Sequence, residues 1–210
     1  MLPTLWSLVL AARGMPPLHL LVVFVIGSFV MRSAGVVLND LADRSFDRHV
    51  TRTRVRPLAS GELNVTHALM LAGFLLLLAA ILVLSLDPFT ILLSPIAILL
   101  AALYPFAKRV IHIPQAILGI AFGWGTIMAW TASRGAIEAP AWCLFAATIC
   151  WAVGYDTIYA LQDQEDDRRI GVKSSALLFG SSTWIAVGTV FCAMLFLLGL
   201  AGWLADIGWI

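Results

Sequence analysis

Charge is what this sequence has least of. Only 12% of its 210 residues are Asp, Glu, Lys or Arg, while 61% are hydrophobic and the mean hydropathy is +0.95. Ordinary soluble domains carry about twice that share of charge. A soluble core of this size cannot absorb so much apolar surface; a bilayer can. The net charge of +1 gives no basic footprint for nucleic acid. Cysteine is scarce too: Cys143, Cys150 and Cys192 lie in apolar runs without metal-ligand spacing, and read as small buried hydrophobes. His19, His49, His67 and His112 are scattered over loops and span ends and carry no assigned chemistry. The opening MLPTLWSLVL has no basic stretch ahead of its apolar run, so no cleavable signal peptide is expected.

What is present is a series of long apolar segments. A spanning helix needs about 20 largely apolar residues. Six segments qualify, at about 18–39, 66–86, 89–107, 114–133, 140–162 and 182–204. A seventh, from Leu2 to Ala12, is apolar but too short to span comfortably, and reads as the second half of a helix. Turn chemistry separates them: Gly14-Met15-Pro16-Pro17, Asp87-Pro88, His112-Ile113-Pro114 and Ala139-Pro140. Asp87 before Pro88 reads as an N-cap with proline in the first turn. The eight tryptophans suit interfacial belts and helix packing.

With the short segment counted as a span, the loops alternate between two sides. The loops at 40–65, 108–113 and 163–181 hold Arg44, Arg48, Arg52, Arg54 and Arg56, then Lys108 and Arg109, then Arg168, Arg169 and Lys173. The opposite side has only Arg13 and Arg134, and Arg32 lies inside a span. Such asymmetry places the basic loops in the cytoplasm.

Acidic residues gather on the same side. Asp40, Asp43 and Asp47 form one group; Asp156, Asp163, Glu165, Asp166 and Asp167 form another. Asn39, Asp43 and Asp47 recur at i, i+4, i+8, and Asp156, Tyr159, Asp163 and Asp167 at i, i+3, i+7, i+11, so a continuing helix would put each set on one face. Like charges stacked on a helix face repel. A divalent cation removes the repulsion, and Mg²⁺ takes one or two carboxylates plus substrate phosphates. Two such faces at one depth, with basic loops between them, suit a Mg²⁺–diphosphate complex. The plain alternative is a solvated cytoplasmic face; Glu165 and Asp166 lie off the shared face and are read that way.

Arg32 precedes Asn39 by seven residues and shares roughly its helix face. An intramembrane arginine costs about 2.5–3.5 kcal/mol on insertion scales, so it faces a cavity and an anion. The anion is either a motif aspartate or a substrate carboxylate.

The stretch Asn39-Asp40-Leu41-Ala42-Asp43-Arg44-Ser45-Phe46-Asp47 resembles the NDxxDxxxD motif of the UbiA family of membrane prenyltransferases, and Arg56-Pro57-Leu58-Ala59-Ser60-Gly61 resembles its RPLxSG continuation. Tyr155, Asp156, Tyr159, Ala160, Asp163 and Asp167 match the second motif, YDxxYAxxDxxxD, followed by Ile170-Gly171-Val172-Lys173-Ser174. The wording there, the loop Tyr104-Pro105-Phe106-Ala107-Lys108-Arg109 and the opening Pro3-Thr4-Leu5-Trp6 are most similar to members acting on 4-hydroxybenzoate in the ubiquinone pathway.

The resemblance implies an all-α integral membrane fold, a multi-helix bundle around a central cavity, forming one transmembrane domain over residues 1–210. Family members usually have nine spans. Room for about six full spans plus a short N-terminal half-span implies that the start of the first helix and the last two helices lie outside this sequence. It implies transfer of a polyprenyl group from polyprenyl diphosphate to the ring of 4-hydroxybenzoate, ortho to the hydroxyl. Asn39, Asp43, Asp47, Asp163 and Asp167 would hold the diphosphate through Mg²⁺, with the four aspartates as the catalytic set. Arg32 matches the position that holds the aromatic carboxylate. Lys108, Arg109, Arg56 and Lys173 resemble diphosphate partners, and Tyr159 is placed to shield or stabilise an allylic cation. The implied setting is a bacterial plasma membrane or mitochondrial inner membrane, with the site on the cytoplasmic or matrix side, membrane lipid as surroundings and no nucleic acid. Competing readings are a family member with another acceptor (haem, a naphthoate, homogentisate or chlorophyllide), an inactive truncated fragment, and a cation transporter. Transport sites lie nearer the bilayer midplane than these clusters. A CDP-alcohol phosphotransferase is set aside because its DG…AR…G…D…D pattern is absent, and a soluble prenyl synthase because its chain would not be this apolar.

Overall fold

The computed structural model describes residues 1–107, 111, 113–171 and 174–207, and every regular element among them is a helix. In chain order these are α1 (Leu2–Ala12), α2 (Leu18–Asp47), α3 (Pro57–Ser60), α4 (Val65–Val83), α5 (Pro88–Ala107), α6 (Pro114–Arg134), α7 (Ala139–Ala160), α8 (Gln164–Ile170), α9 (Ser175–Phe179), a 3₁₀ turn (Gly180–Ser182) and α10 (Thr183–Leu204). Six segments are long and apolar enough to cross a membrane, α9 and α10 together forming the last, and α1 is the short apolar seventh. The chain is thus an all-α multi-pass membrane protein with the expected number of spans. Phe29, Phe74, Leu92, Trp184 and Phe196 are among the large apolar side chains left exposed on its flanks, as a lipid-facing surface requires.

The helix starts follow the local sequence. Asp87 Oδ1 accepts from the N–H groups of Phe89 and Thr90, both at 3.0 Å, so the Asp-Pro junction caps α5 as expected. Asn64 caps α4 by accepting from Thr66 N at 2.9 Å. Within α5, Pro95 has no N–H to offer the carbonyl of Ile91; the Ser94 hydroxyl donates to that carbonyl at 2.8 Å. Inside a bilayer no water stands ready to do so.

Helix α6 lies at the centre, against α1, α5 and α7, while α10 packs on α7 and α4 on α2. Close approach of α6 and α7 depends on two glycines one turn apart. A Cβ on Gly119 would stand 2.7 Å from the Ile149 backbone, and one on Gly123 would stand 2.9 Å from the Phe145 ring. Small residues at i, i+4 let membrane helices meet backbone to backbone, where van der Waals contact replaces the hydrophobic effect. Ser7 Oγ donates to the Thr126 carbonyl at 2.6 Å and docks α1 onto α6.

Helix α2 continues past the apolar span to Asp47, as the i, i+4, i+8 spacing expects. One boundary differs from expectation. The second acidic run is not one helix: α7 ends at Ala160, residues 161–163 form a turn, and α8 begins at Gln164. Leu161 and Gln162 N–H groups reach back only three residues, to Ile158 and Tyr159, at 3.3 and 3.1 Å. That tightening closes α7, so Asp156, Tyr159, Asp163 and Asp167 do not share one continuous helical face.

Candidate active site

The end of α2 supplies Asn39, Asp43 and Asp47 from one face, and both aspartates are buried. Burying carboxylates without partners is costly, and the following loop provides partners for Asp47 and its neighbour Asp40. Arg56 Nη1 donates to Asp40 Oδ1 at 2.9 Å and to Asp47 Oδ2 at 3.0 Å. Thr53 Oγ1 donates to the Asp47 carbonyl at 3.2 Å. The loop is drawn back by its own backbone: Arg44 Nε donates to the Leu58 carbonyl and Arg48 Nε to that of Ala59, at 3.2 and 3.1 Å. Pro57 opens α3, and Gly61 closes it at φ 89, a left-handed conformation that favours glycine. The RPLASG run is therefore a short capped helix that returns Arg56 to the aspartates.

The second cluster comes from the end of α7 and the turn after it. Arg52, in the loop after α2, reaches across to Asp163: its Nε donates to Oδ1 at 2.8 Å and its Nη2 to Oδ2. These bonds push the Arg52 guanidinium further toward its charged form, against the partial burial that opposes it. Downstream, the Thr157 and Ser175 hydroxyls pair at 2.7 Å, Gln164 Nε2 donates to the Ala176 carbonyl at 3.2 Å, and Ser174 caps α9. The segment after the motif is thus folded back onto α7.

Both clusters open into one cavity of about 1230 Å³ that continues between the helices. Asn39, Asp43 and Asp47 line it from α2, and Asp156, Tyr159 and Asp163 from the other arm. Deeper walls come from α4, α5 and α6, with Val83, Ala97, Leu118 and Met128 among their apolar residues. Arg32 also lines the cavity; its guanidinium carbon lies 5.6 Å from the centre of the Phe122 ring, a cation–π contact. Among the described residues, no ion pair joins Arg32 to a motif aspartate. Along α7, Trp151, Tyr155 and Tyr159 follow at i, i+4, i+8: the first two rings stack with centres 5.5 Å apart, and the last two meet at a tilt of 44° with centres 5.4 Å apart. Two buried amide oxygens, Asn39 Oδ1 and Gln115 Oε1, have no hydrogen-bond partner among the described residues.

The UbiA prenyltransferase family model matches residues 1–210. The chain belongs to the UbiA prenyltransferase family. It is 52% identical over 202 residues to the 4-hydroxybenzoate octaprenyltransferase of Aromatoleum aromaticum, covering 96% of this chain and 69% of that one. It is 48% identical over 206 residues to the protein of the same name from Pseudomonas aeruginosa, covering 98% and 70%. The apo structure of a UbiA homolog from Aeropyrum pernix superposes with a TM-score of 0.82 at 28% identity, over 93% of this chain and 74% of that one. A UbiA homolog from Archaeoglobus fulgidus bound to GPP and Mg²⁺ shares the fold, with a TM-score of 0.68 at 19% identity over 95% and 75%.

In this UbiA chain Asn39, Asp43, Asp47, Asp163, Arg32, Arg56 and Tyr159 all line the one cavity. Lys108, Arg109 and Lys173 lie outside the described residues, as does the side chain of Asp167, whose backbone is in α8. Three contributors were not singled out from sequence. Arg52 is one of five arginines in its loop, and nothing in the order of residues separates it from Arg54. Gln115 carried a faint signal, an amide just inside an apolar span after a proline. Phe122 carried none.

The donor set fits Mg²⁺. It is all oxygen, it includes the partnerless Asn39 Oδ1, and two of its carboxylates are buried at the cavity wall. Among the described residues, no three acidic, histidine or cysteine side chains converge into a complete ligand group. That suits an ion which takes one or two carboxylates and completes its shell from phosphate and water.

Proposed function

We propose that this chain transfers a polyprenyl group from polyprenyl diphosphate to the ring of 4-hydroxybenzoate, ortho to the hydroxyl, in ubiquinone biosynthesis. The observation that carries the reading is the cavity: two aspartate arms at its mouth, an arginine deeper in, and apolar walls between helices. Relatives about half identical over nearly all of this chain bear the name of that activity, which supports the choice of acceptor.

Asn39, Asp43, Asp47, Asp163 and Asp167 would hold Mg²⁺ and, through it, the diphosphate, and the ion would neutralise the charge that builds on the departing diphosphate. Arg56, already at the mouth between Asp40 and Asp47, adds positive charge there, and Lys108, Arg109 and Lys173 are the further diphosphate partners that the family resemblance implies. The apolar walls take the prenyl chain. Arg32 holds the acceptor's carboxylate; its planar fork suits that group better than a lysine would. The Tyr155 and Tyr159 rings face the place where an allylic cation forms and stabilise it through their π faces. That cation forms as the C1–O bond to diphosphate breaks; the ring carbon ortho to the hydroxyl then bonds to the prenyl C1, and that carbon's proton passes to the released diphosphate, restoring aromaticity. Cavity walls exclude water, which would otherwise capture the cation.

The basic loops beside both aspartate arms support a site on the cytoplasmic face of a bacterial plasma membrane, or the matrix face of a mitochondrial inner membrane. The decisive experiment incubates detergent-purified protein with 4-hydroxybenzoate, a polyprenyl diphosphate and Mg²⁺ and follows the prenylated acid by mass spectrometry. Product that forms only with Mg²⁺ is expected. Product from another aromatic acceptor, with none from 4-hydroxybenzoate, would replace the acceptor; turnover indifferent to chelation would remove the metal.

A further inference from the structure

We infer that Gln115 is an acceptor-binding residue: its amide oxygen takes the hydrogen bond of the acceptor's hydroxyl and makes that hydroxyl a requirement for binding. The inference rests on the acceptor reading above. Gln115 is only 3% exposed, lines the cavity, and has an Oε1 without a partner among the described residues. A buried acceptor left unpaired is costly. The oxygen is shut off even from water in this structure, so a turn of the amide into the cavity that the residue lines is what brings it a partner, and the occupant there must supply a donor. A prenyl diphosphate brings only hydrocarbon and acceptor oxygens. The ionised aromatic acid brings one donor, its phenolic O–H.

Depth agrees. Helices α2 and α6 run in opposite directions: the motif end of α2 and the start of α6 both line the cavity, while Arg134, at the far end of α6, borders a separate hollow with Asp206 and with Arg13, which precedes α2. The Arg32–Phe122 contact fixes their register. Seven residues on from Arg32 is Asn39, and seven residues back from Phe122 is Gln115. Each step is two turns, about 10.5 Å of rise onto the same face. The two helices thus build two layers: Arg32 and Phe122 deeper, Asn39 and Gln115 nearer the mouth. A para-substituted acid with a hydrogen bond at each end spans about 12 Å between its protein partners, enough to join the layers. With its carboxylate on Arg32 and its hydroxyl on Gln115, the ring carbon ortho to the hydroxyl sits at the level of Asn39, where the diphosphate departs. A hydroxyl that donates to Oε1 also pushes electron density into the ring, favouring attack from that carbon.

The test is equilibrium binding, not turnover. Detergent-purified protein is loaded with Mg²⁺ and a non-ionising prenyl thiolodiphosphate, then titrated calorimetrically with 4-hydroxybenzoate, 4-methoxybenzoate and benzoate. Wild-type protein should prefer the hydroxy acid about tenfold, the worth of one neutral hydrogen bond that the analogues cannot make. Gln115→Leu should bring that preference within about twofold, mainly by weakening the hydroxy acid. Gln115→Glu, which keeps an acceptor oxygen, should retain it and also serves if the leucine variant does not fold. A leucine variant that keeps the preference, or a glutamate variant that loses it, overturns the inference alone. A leucine variant whose thiolodiphosphate or Mg²⁺ affinity falls while the preference stays does so too, by assigning Oε1 to a metal-bound water. Wild-type protein that binds none of the three acids overturns the acceptor reading and this inference with it.

Discussion

The two aspartate arms face each other across one cavity but are built differently. The first is the end of a single 30-residue helix, with Asp43 and Asp47 buried at 6% and 7% exposure. Three arginines from or beside its loop bind it down: Arg56 holds Asp40 and Asp47, while Arg44 and Arg48 hold the α3 backbone. The second arm is broken by a turn at 161–163, and its Asp163 is held chiefly from across the cavity by Arg52. One arm is a fixed wall. The other is a turn whose main anchor is an ion pair, and ion pairs can exchange partners. Ligands entering between them would be met by a rigid set of oxygens on one side and an adjustable one on the other.

The strongest way to break this comparison is to lengthen one carboxylate in each arm. Asp43→Asn and Asp163→Asn should each reduce turnover by about a thousandfold or more, since each removes charge stabilisation of that order. Glutamate separates the arms. A misplacement of about 1 Å can cost a hundredfold, and α2 has no slack to absorb an added methylene. Asp43→Glu should stay near that loss, whereas Asp163→Glu, on the turn, should lose only about tenfold by the same measure. Steady-state kinetics with saturating Mg²⁺ distinguishes these outcomes. Equal losses for the two glutamate variants would show that both arms are fixed.

Below the arms lies the acceptor layer. If Arg32 holds the carboxylate, Arg32→Ala removes a charged hydrogen bond of about 1.5–3 kcal/mol. The KM for 4-hydroxybenzoate should rise about ten- to a hundredfold and that for the diphosphate little. A rise confined to the diphosphate would move Arg32 into the mouth with the two arms. Helix packing sets how firmly these layers are held. Gly119→Ala drives a Cβ toward the Ile149 backbone, and overpacking of this kind costs about 1–3 kcal/mol. A thermal unfolding midpoint several degrees lower should accompany it, with Gly73→Ala, where a Cβ meets nothing within 4 Å, as the neutral control. An unchanged midpoint would mean that α6 and α7 separate freely.

Much of this was legible in the sequence because membrane helices announce themselves. Six apolar runs gave six spans, and alternation of the basic loops brought 40–65 and 163–181 to one end, where Arg52 and Asp163 now meet. Asp87-Pro88 gave a cap because its chemistry is local. The break after Ala160 was not legible: the i, i+3, i+7, i+11 spacing of the acidic run fits a helix, and only a tertiary anchor on Asp163 favours the turn. Pairing among the arginines was equally hidden. One lies in the last turn of α2 and four follow it, and which one returns to Asp47, which one crosses to Asp163 and which ones bind the α3 carbonyls depends on how the loop folds back. Arg32 was visible by its cost inside a span, but its contact with Phe122 was not, since an aromatic residue in an apolar run marks nothing.

The finest test concerns Arg52 itself, and its effect should be the smallest. If Asp163 is a Mg²⁺ ligand, as proposed, Arg52 and the ion compete for the same oxygens, and the guanidinium must yield when the ion binds. Its side chain is 46% exposed, and pairs this open to solvent contribute at most about 1 kcal/mol. Removing it should therefore cost little stability and should lower the Mg²⁺ concentration for half-maximal activity by about two- to fivefold. Arg52→Gln is the suitable variant, because it keeps much of the length and loses the charge. Arg54→Gln, from the same loop, controls for the loss of one positive charge near the mouth, and titration at two salt concentrations separates screening from direct competition. If Arg52→Gln raised the Mg²⁺ requirement instead, the arginine would be holding Asp163 in its metal-ready position. The second arm would then be as preorganised as the first, and the contrast between wall and turn would rest on backbone alone.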